Sequence, residues 1–321
     1  MKKLFLIDGN AIIHRAYHAL PRFSTSKGEL INAVYGFYSM LLNIINNQKP
    51  DYIAVSFDRA AKTFRHEEYK DYKATRVKAP DELYAQIPRI KEIVQAFSIP
   101  IYEIDGFEAD DVLGTLAFQA GQFCKQHLTD AAISADGKEK IETFIVTGDM
   151  DTLQLVSSTT FVFALHKGFQ DTIIYDTTKV LAKYGLEPTQ IVDYKALKGD
   201  SSDNIPGVPG IGEKGATELL QKYKTLDGIY EHLDEIKGAL HDKLASNKES
   251  AYKSRHLATI VTDVPLKLNL AECKTHEFEL SKIVKLFEEL EFKSLLGKLN
   301  KFNSHYGKIQ VVENSGQQTL F

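Results

Sequence analysis

Short apolar runs rich in strand-forming residues recur along the first half of the chain, and segments with helical periodicity separate them. The runs cover residues 3–7, 52–57, 101–104 and 143–146, and two more at 160–164 and 172–175 flank a turn at Lys167 and Gly168. Nearly continuous apolar strands separated by helices are typical of a parallel sheet covered on both faces. We therefore predict an α/β fold with a mostly parallel twisted sheet and a hairpin at its edge.

After about residue 176 the pattern changes to helices interrupted by breaks rich in Gly and Pro, the densest at residues 199–212. The final segment is mostly polar and lacks an amphipathic period, which is typical of a flexible tail. These changes predict a core at residues 1–176, a helical region at 177–299 and a tail at 300–321.

The composition excludes several classes of protein. Of the 321 residues 43% are hydrophobic and 26% are charged, which excludes disorder throughout, a collagen-like chain and a coiled coil. Cys124 and Cys273 stand far apart, so neither a disulfide framework nor a thiolate zinc site is expected. The apolar run after Lys3 ends at Asp8, and no apolar span reaches 18 residues. We expect a cytoplasmic protein without membrane contact.

Acidic side chains follow the predicted strands at their carboxyl ends, which share one edge of a parallel sheet. That many carboxylates can gather only with divalent cations between them, and ligation by oxygen alone favours two Mg²⁺ or Mn²⁺ ions. Each acid singly could be an ordinary helix cap. Their recurrence indicates a two-metal site. The nine candidates are Asp8, Asp58, Glu108, Asp110, Asp111, Asp149, Asp151, Asp200 and Asp203.

A basic segment stands out against the overall charge balance. The whole chain has 39 basic and 43 acidic residues, but residues 59–78 contain seven basic and three acidic ones. Arg65, Tyr69, Tyr72 and Arg76 are spaced by four, three and four residues, which predicts one helix face, with Lys73 beside it. A stripe of cations and aromatic rings suits single-stranded nucleic acid, although a solvated charged helix is the ordinary explanation.

Residues 204–216 (Asn-Ile-Pro-Gly-Val-Pro-Gly-Ile-Gly-Glu-Lys-Gly-Ala) precede an apolar helix at 217–223. We interpret residues 200–223 as a helix-hairpin-helix. Its glycines, among them Gly210 and Gly212, let the backbone approach a phosphate closely, and Lys214 follows at the helix start. The predicted contact is with the DNA backbone and not with the bases.

Six motifs in fixed order resemble the bacterial 5'-3' exonuclease of the flap endonuclease family, found as the nuclease domain of DNA polymerase I and as stand-alone relatives. They lie at residues 6–9 (Leu-Ile-Asp-Gly), 57–58 (Phe-Asp), 64–74 (Phe-Arg-His-Glu-Glu-Tyr-Lys-Asp-Tyr-Lys-Ala), 107–111 (Phe-Glu-Ala-Asp-Asp), 147–151 (Thr-Gly-Asp-Met-Asp) and 199–207 (Gly-Asp-Ser-Ser-Asp-Asn-Ile-Pro-Gly). The resemblance covers residues 3–298, and it departs from the family at Arg59, at Met150 and in a polar insertion at 128–142.

The resemblance implies a helical arch at about residues 59–90 and a grip on duplex DNA that often includes a K⁺ ion. It also implies that Lys73 and Arg76 meet the scissile phosphate, and that Asp8, Asp58 and Asp149 take part in catalysis. The implied ligands of one metal are Asp8, Asp58, Glu108 and Asp110. Those of the other are Asp149, Asp151, Asp200 and Asp203, with Asp111 supporting.

We therefore predict a structure-specific nuclease that hydrolyses DNA at 5' ends and 5' flaps in replication and repair. The alternatives are an RNA nuclease of the PIN type, which would lack the hairpin motif, and a DNA-binding scaffold without activity. We expect a monomer that acts on the nucleoid and works with a DNA polymerase. Whether the chain stands alone or is part of a polymerase stays open.

The last five residues, Gln-Gln-Thr-Leu-Phe, are similar to the peptide by which bacterial repair proteins dock on the sliding clamp. Leu320 and Phe321 would be the apolar anchors and Gln317 the polar contact. Short motifs also arise by chance. A docking peptide at this position favours a stand-alone enzyme.

Overall fold

The computed structural model describes residues 1–129, 141–165, 172–275, 278 and 280–306. Its centre is a six-stranded sheet in the order β3-β2-β1-β4-β5-β6. All neighbouring strands are parallel except the last pair, β5 and β6, which are antiparallel at one edge. The strands are β1 (Lys2–Asp8), β2 (Tyr52–Ser56), β3 (Ile101–Tyr102), β4 (Ile141–Thr147), β5 (Thr160–Leu165) and β6 (Thr172–Tyr175). The predicted α/β fold is confirmed, and the edge hairpin is observed.

Within the described residues, six helices lie in the part of the sequence that contains the sheet, and each stands between two successive strands along the chain. They are α1 (Gly9–Ala19), α2 (Asn32–Gln48), α3 (Phe64–Glu68), α4 (Asp81–Tyr84), α5 (Ile87–Ala96) and α6 (Ala109–Thr129). Helix α1 begins directly at the end of β1, because the Asp8 side chain accepts a hydrogen bond from the Ala11 amide and caps the helix.

The following region is helical, as its sequence pattern indicates. Its helices are α7 (Thr177–Tyr184), α8 (Ile191–Lys198), α9 (Glu213–Tyr223), α10 (Leu226–Glu231), α11 (Ala239–Ser246) and α12 (Lys248–Ala258). These helices share an apolar cluster of their own, centred on fully buried Leu197, Leu220 and Ile229.

The chain then returns to the sheet, so residues assigned to the helical region by sequence contribute to the core. The Cys273 carbonyl accepts a hydrogen bond from the Ile53 amide on β2. Helices α13 (Leu280–Glu289) and α14 (Lys293–Tyr306) pack on the face of the sheet that α2 and α5 also cover. There Phe287 is buried beside Tyr38 and Phe97. Helix α14 continues beyond residue 300, and the rest of the predicted tail lies outside the described residues.

Two more features bear on the sequence predictions. Most of the insertion at residues 128–142 lies outside the described residues. Within the described ranges, no helix is both long enough and apolar enough to cross a membrane.

Candidate active site

A cleft of about 390 Å³ opens at the carboxyl ends of β1, β2 and β4. Asp8 is the last residue of β1, Asp58 follows β2, and Asp149 follows β4. Glu108 and Asp110 come from the start of α6. These five of the nine predicted carboxylates line the cleft, and the parallel sheet brings them together from distant parts of the sequence.

Hydrogen bonds fix how the two acids on neighbouring strands face the cleft. The carboxylate of Asp8 accepts the Ala11 amide at 2.9 Å and the Thr147 hydroxyl at 2.8 Å. That of Asp58 accepts the Ala109 amide at 2.7 Å. Charge-assisted bonds of this length hold an ionised oxygen in one orientation.

Three carboxyl groups of the cleft, those of Asp8, Asp58 and Asp110, have raised pKa values. Burial, followed by the charges of Asp58 and Asp149, raises the pKa of Asp8 to about 7. Burial, with the charges of Asp111 and Glu108, raises the pKa of Asp110 well above its ordinary value. Crowded carboxylates without a cation behave in this way, since each ionised group opposes the next.

Asp151 and Asp200 lie beside this cleft and share Lys195, which is on α8. The Lys195 ammonium binds Asp151 and lies 2.6 Å from Asp200. Burial and the charge of Asp149 raise the pKa of Asp151 to about 7. Burial alone would raise the pKa of Asp200. The charge of Lys195 and the hydrogen bonds from Lys195 and Ser202 outweigh burial and lower that pKa to about 2.

The cleft also contains Asn10 and His14, which are not among the predicted site residues, and Lys195 lies beside it. Asn10 donates its side-chain amide to Asp58 at 2.9 Å, and His14 lines the cleft from α1. Helical spacing from Asn10, four residues earlier, could have indicated His14. Lys195 bridges acids 44 and five residues away, and spacing alone does not reveal such a contact.

Basic side chains of residues 69–79 reach the acids from the opposite wall. The Lys73 ammonium lies 2.7 Å from Glu108, and the Arg76 guanidinium pairs with Asp203. The Tyr72 hydroxyl donates to Glu108 at 3.0 Å and to Asp203 at 3.1 Å. The chain's own cations thus compensate part of the negative charge, and no group of three potential ligands among the described residues has a geometry ready to hold a metal.

The prediction that the basic segment forms one helix face is wrong. Helix α3 ends at Glu68, and turns follow it, with Lys73 in the left-handed region at φ 56°. Arg65, Tyr72 and Arg76 therefore do not share a helix face. Tyr69 is half-buried, with the Lys253 ammonium 4.3 Å from its ring centroid.

Arg65 and Asp111 form a buried ion pair, which corrects two sequence assignments. Their side chains make two hydrogen bonds of 2.7 Å each, and Arg65 is 1% and Asp111 0% exposed. Arg65 also donates to the carbonyls of Leu257 and Thr259. Arg65 is thus not available to DNA, nor Asp111 to a metal. Tyr72, also buried, cannot stack on a base.

The segment interpreted as a helix-hairpin-helix, residues 200–223, consists of the loop after α8 and helix α9. Gly199 and Gly207 both have positive φ angles, 81° and 65°. A Cβ on Gly207 would lie 2.3 Å from the Gly199 nitrogen, so both positions of the loop require glycine. The amides of Gly210 and Gly212 have no hydrogen-bond partner in the described part of the chain. Lys214 is 90% exposed. The loop therefore offers amide donors and a cation to solvent.

Two protein-family models match the chain. Residues 3–185 match the 5'-3' exonuclease N-terminal resolvase-like domain, and residues 186–281 match the 5'-3' exonuclease C-terminal SAM fold.

Curated relatives also match the chain, and solved structures share its fold. DNA polymerase I of Caldicellulosiruptor bescii is 43% identical over 92% of this chain, and that of Bacillus subtilis is 39% identical over 99%. The chain spans about a third of these relatives, 33% and 34% of their lengths. A bacteriophage T5 flap endonuclease in a pseudo-enzyme-product complex with DNA and metal ions shares the fold, with a TM-score of 0.63 at 17% identity over 93% of this chain and 98% of that one.

The T5 5'-exonuclease with bound zinc also shares the fold, with a TM-score of 0.61 and 20% identity. That likeness covers 91% of this chain and 99% of the T5 chain.

The buried ion pair predicts a large loss of stability in Arg65→Ala. This change leaves the Asp111 carboxylate buried without its cation, which should lower the free energy of unfolding by about 3–5 kcal/mol. The control is Arg59→Ala, because Arg59 pairs with Asp105 at the surface and should contribute at most about 1 kcal/mol. Urea unfolding followed by circular dichroism measures both. Equal losses in the two variants would contradict a structural role for Arg65.

Proposed function

Because this chain belongs to the 5'-3' exonuclease family, we propose that it hydrolyses phosphodiester bonds at the 5' ends and 5' flaps of DNA, in replication and repair. The observation that carries the proposal is the cleft where five carboxylates from three strand ends and one helix start converge. Buried carboxylates with raised pKa values destabilise a fold, so their concentration at one site favours a chemical role over a structural one.

The donor set fits divalent cations. It consists of oxygen atoms alone, which suits Mg²⁺ or Mn²⁺, and its negative charge exceeds what Lys73 and Lys195 compensate. We assign one ion to Asp8, Asp58, Glu108 and Asp110. The second is assigned to Asp149, Asp151, Asp200 and Asp203. When bound, two such ions activate water for attack and stabilise the leaving oxygen of a phosphodiester.

The chain's own residues prepare the site for a phosphate. Thr147 and Ala11 orient Asp8, and Asn10 and Ala109 orient Asp58, so these carboxylates need not reorganise when substrate arrives. Lys73 and Arg76 place positive charge in the cleft, where it would stabilise the additional negative charge of the transition state. For this they exchange their contacts with Glu108 and Asp203 for contacts with the substrate.

We assign duplex binding to the helix-hairpin-helix. The unpartnered amides of Gly210 and Gly212 and the exposed ammonium of Lys214 suit a phosphate backbone of any sequence. A K⁺ ion bound to carbonyls of this loop would support the same contact. The enzyme would act as a monomer on nucleoid DNA in the bacterial cytoplasm, beside a DNA polymerase activity.

The hairpin disfavours an RNA nuclease of the PIN type, and the destabilising carboxylates disfavour a scaffold without activity. Cleavage of a labelled 5'-flap duplex, but not of an RNA hairpin, distinguishes the proposal from the first alternative. Dependence of cleavage on Mg²⁺ distinguishes it from the second.

Asp110→Asn should abolish cleavage but preserve the fold. Loss of one anionic ligand should slow single-turnover cleavage of a 5'-flap duplex by about 10³-fold or more. Binding of the same DNA, measured by fluorescence anisotropy in EDTA, should not weaken, because the change removes a repulsive charge. The matched control is Asp105→Asn at an exposed acid outside the cleft. Turnover of Asp110→Asn near the wild-type rate at saturating Mg²⁺ would refute its assignment as a ligand.

Mg²⁺ should stabilise the protein more at pH 8 than at pH 5.5. Without metal, the raised pKa values of Asp8 and Asp151, both about 7, mean that the folded state loses stability as pH rises from their ordinary pKa of 3.8 towards 7. Bound Mg²⁺ requires the ionised carboxylates and removes this penalty. The increase in Tm on adding MgCl₂, compared with NaCl at equal ionic strength, measures the effect. An equal increase at both pH values would contradict the assignment.

We also propose that Gln317, Leu320 and Phe321, which lie outside the described residues, dock on a bacterial sliding clamp. Two apolar anchors and one amide provide modest affinity, which tethering on DNA would raise. A fluorescent peptide of residues 316–321 should bind the clamp, and the same peptide with Leu320→Ala and Phe321→Ala should not. Negligible binding of both peptides would reject the docking role.

A further inference from the structure

Val77 is an apolar residue at a cleft lined mainly by charged and polar residues. It is 95% exposed, more than any other large hydrophobic residue in the described part of the chain. It lines the same cleft as Asp8, Asp110 and Arg76. Single exposed apolar residues are ordinary on protein surfaces. Val77 differs from these because it is almost fully exposed at a site proposed to bind phosphate.

Hydrogen bonds link the residue before Val77 to the neighbouring loop at residues 202–203. The Arg76 amide donates to the Lys73 carbonyl at 3.0 Å, and its guanidinium donates to the Ser202 carbonyl at 3.2 Å. The same guanidinium pairs with Asp203. On the other side, the Lys78 ammonium lies 2.9 Å from Asp81. Val77 thus follows a residue whose amide hydrogen bond to Lys73 remains when the Arg76 guanidinium leaves Asp203 for the substrate.

Of the parts of a nucleic acid, the nucleobase suits this side chain best. The phosphates are the partners of Lys73 and Arg76 in the cleft, and sugars and phosphates both carry polar oxygens. A base has an apolar face, and apolar side chains are known to pack against bases or between base steps. Two methyl groups distinguish no hydrogen-bond pattern, so the contact would tolerate every base.

We propose that Val77 packs against the face of a nucleobase that flanks the scissile phosphate, and so holds that nucleotide in place for cleavage. The proposal rests on the proposed function. It adds a contact by which the enzyme positions the substrate through its base, whereas Lys73 and Arg76 act on the phosphate.

The test compares Val77→Ser with Val77→Ile on two kinds of 5'-flap duplex. One duplex is intact, and the other has an abasic nucleotide on one side of the scissile phosphate, tried on each side in turn. Val77→Ser should lower kcat/KM on the intact duplex about tenfold, which is the effect of losing part of one buried apolar side chain. On the duplex without the contacted base, Val77→Ser and wild type should differ by less than twofold. Val77→Ile should resemble wild type throughout.

A loss in Val77→Ser that is equal on intact and abasic duplexes would overturn the proposal, because it would show an effect unrelated to the base. Unchanged kcat/KM in Val77→Ser on the intact duplex would also overturn it. Both results presuppose that the wild-type protein cleaves the intact duplex. If it does not cleave that duplex with Mg²⁺, the proposed function itself has failed, and the two failures are thereby distinct.

Discussion

The convergence of carboxylates at one edge of a parallel sheet is the constraint on which the rest of this structure depends. Parallel strands end at the same edge, so acids that follow them meet in space however far apart they are in sequence. The chain balances this charge with Arg65 on Asp111, Lys73 on Glu108, and Lys195 on Asp151 and Asp200. Each cation comes from a segment distant from at least one of its acids. These pairs therefore connect the basic segment, helix α6 and helix α8 around one cleft.

These cations compensate only part of the negative charge at the cleft, and the uncompensated part suits a bound cation. The apolar clusters on the two faces of the sheet supply the stability, with fully buried Leu6, Ile45 and Val55 among their members. Asp8 and Asp110 oppose that stability at neutral pH, because burial and mutual repulsion raise their pKa values. A fold commonly departs from its own packing rules where chemistry requires it. Here the departure marks the site that a cation would complete.

The same feature of the sequence predicts both the sheet and the acids at its edge. Apolar runs of four to six residues, followed closely by Asp or Gly, define both the strands and the loops after them, as at Asp8 and Asp149. The basic segment could not be predicted in this way. Its spacing of three and four residues fits a helix, yet Tyr72 turns inward to Glu108 and Asp203, and Lys73 adopts a positive φ. Contacts made across more than 30 residues decide this conformation, and periodicity contains no information about them.

The buried pair of Arg65 and Asp111 has a consequence for how the protein is made. Its enclosure includes the carbonyls of Leu257 and Thr259, and the Val261 amide donates to Asp111 at 2.8 Å. A ribosome therefore releases all six strands well before the residues that seal this pair. During synthesis the six strands therefore emerge before the Arg65–Asp111 pair can be enclosed. They also emerge before α13 can cover its face of the sheet. The ion pair is therefore enclosed only after residue 261 has emerged, later than every carboxylate that lines the cleft.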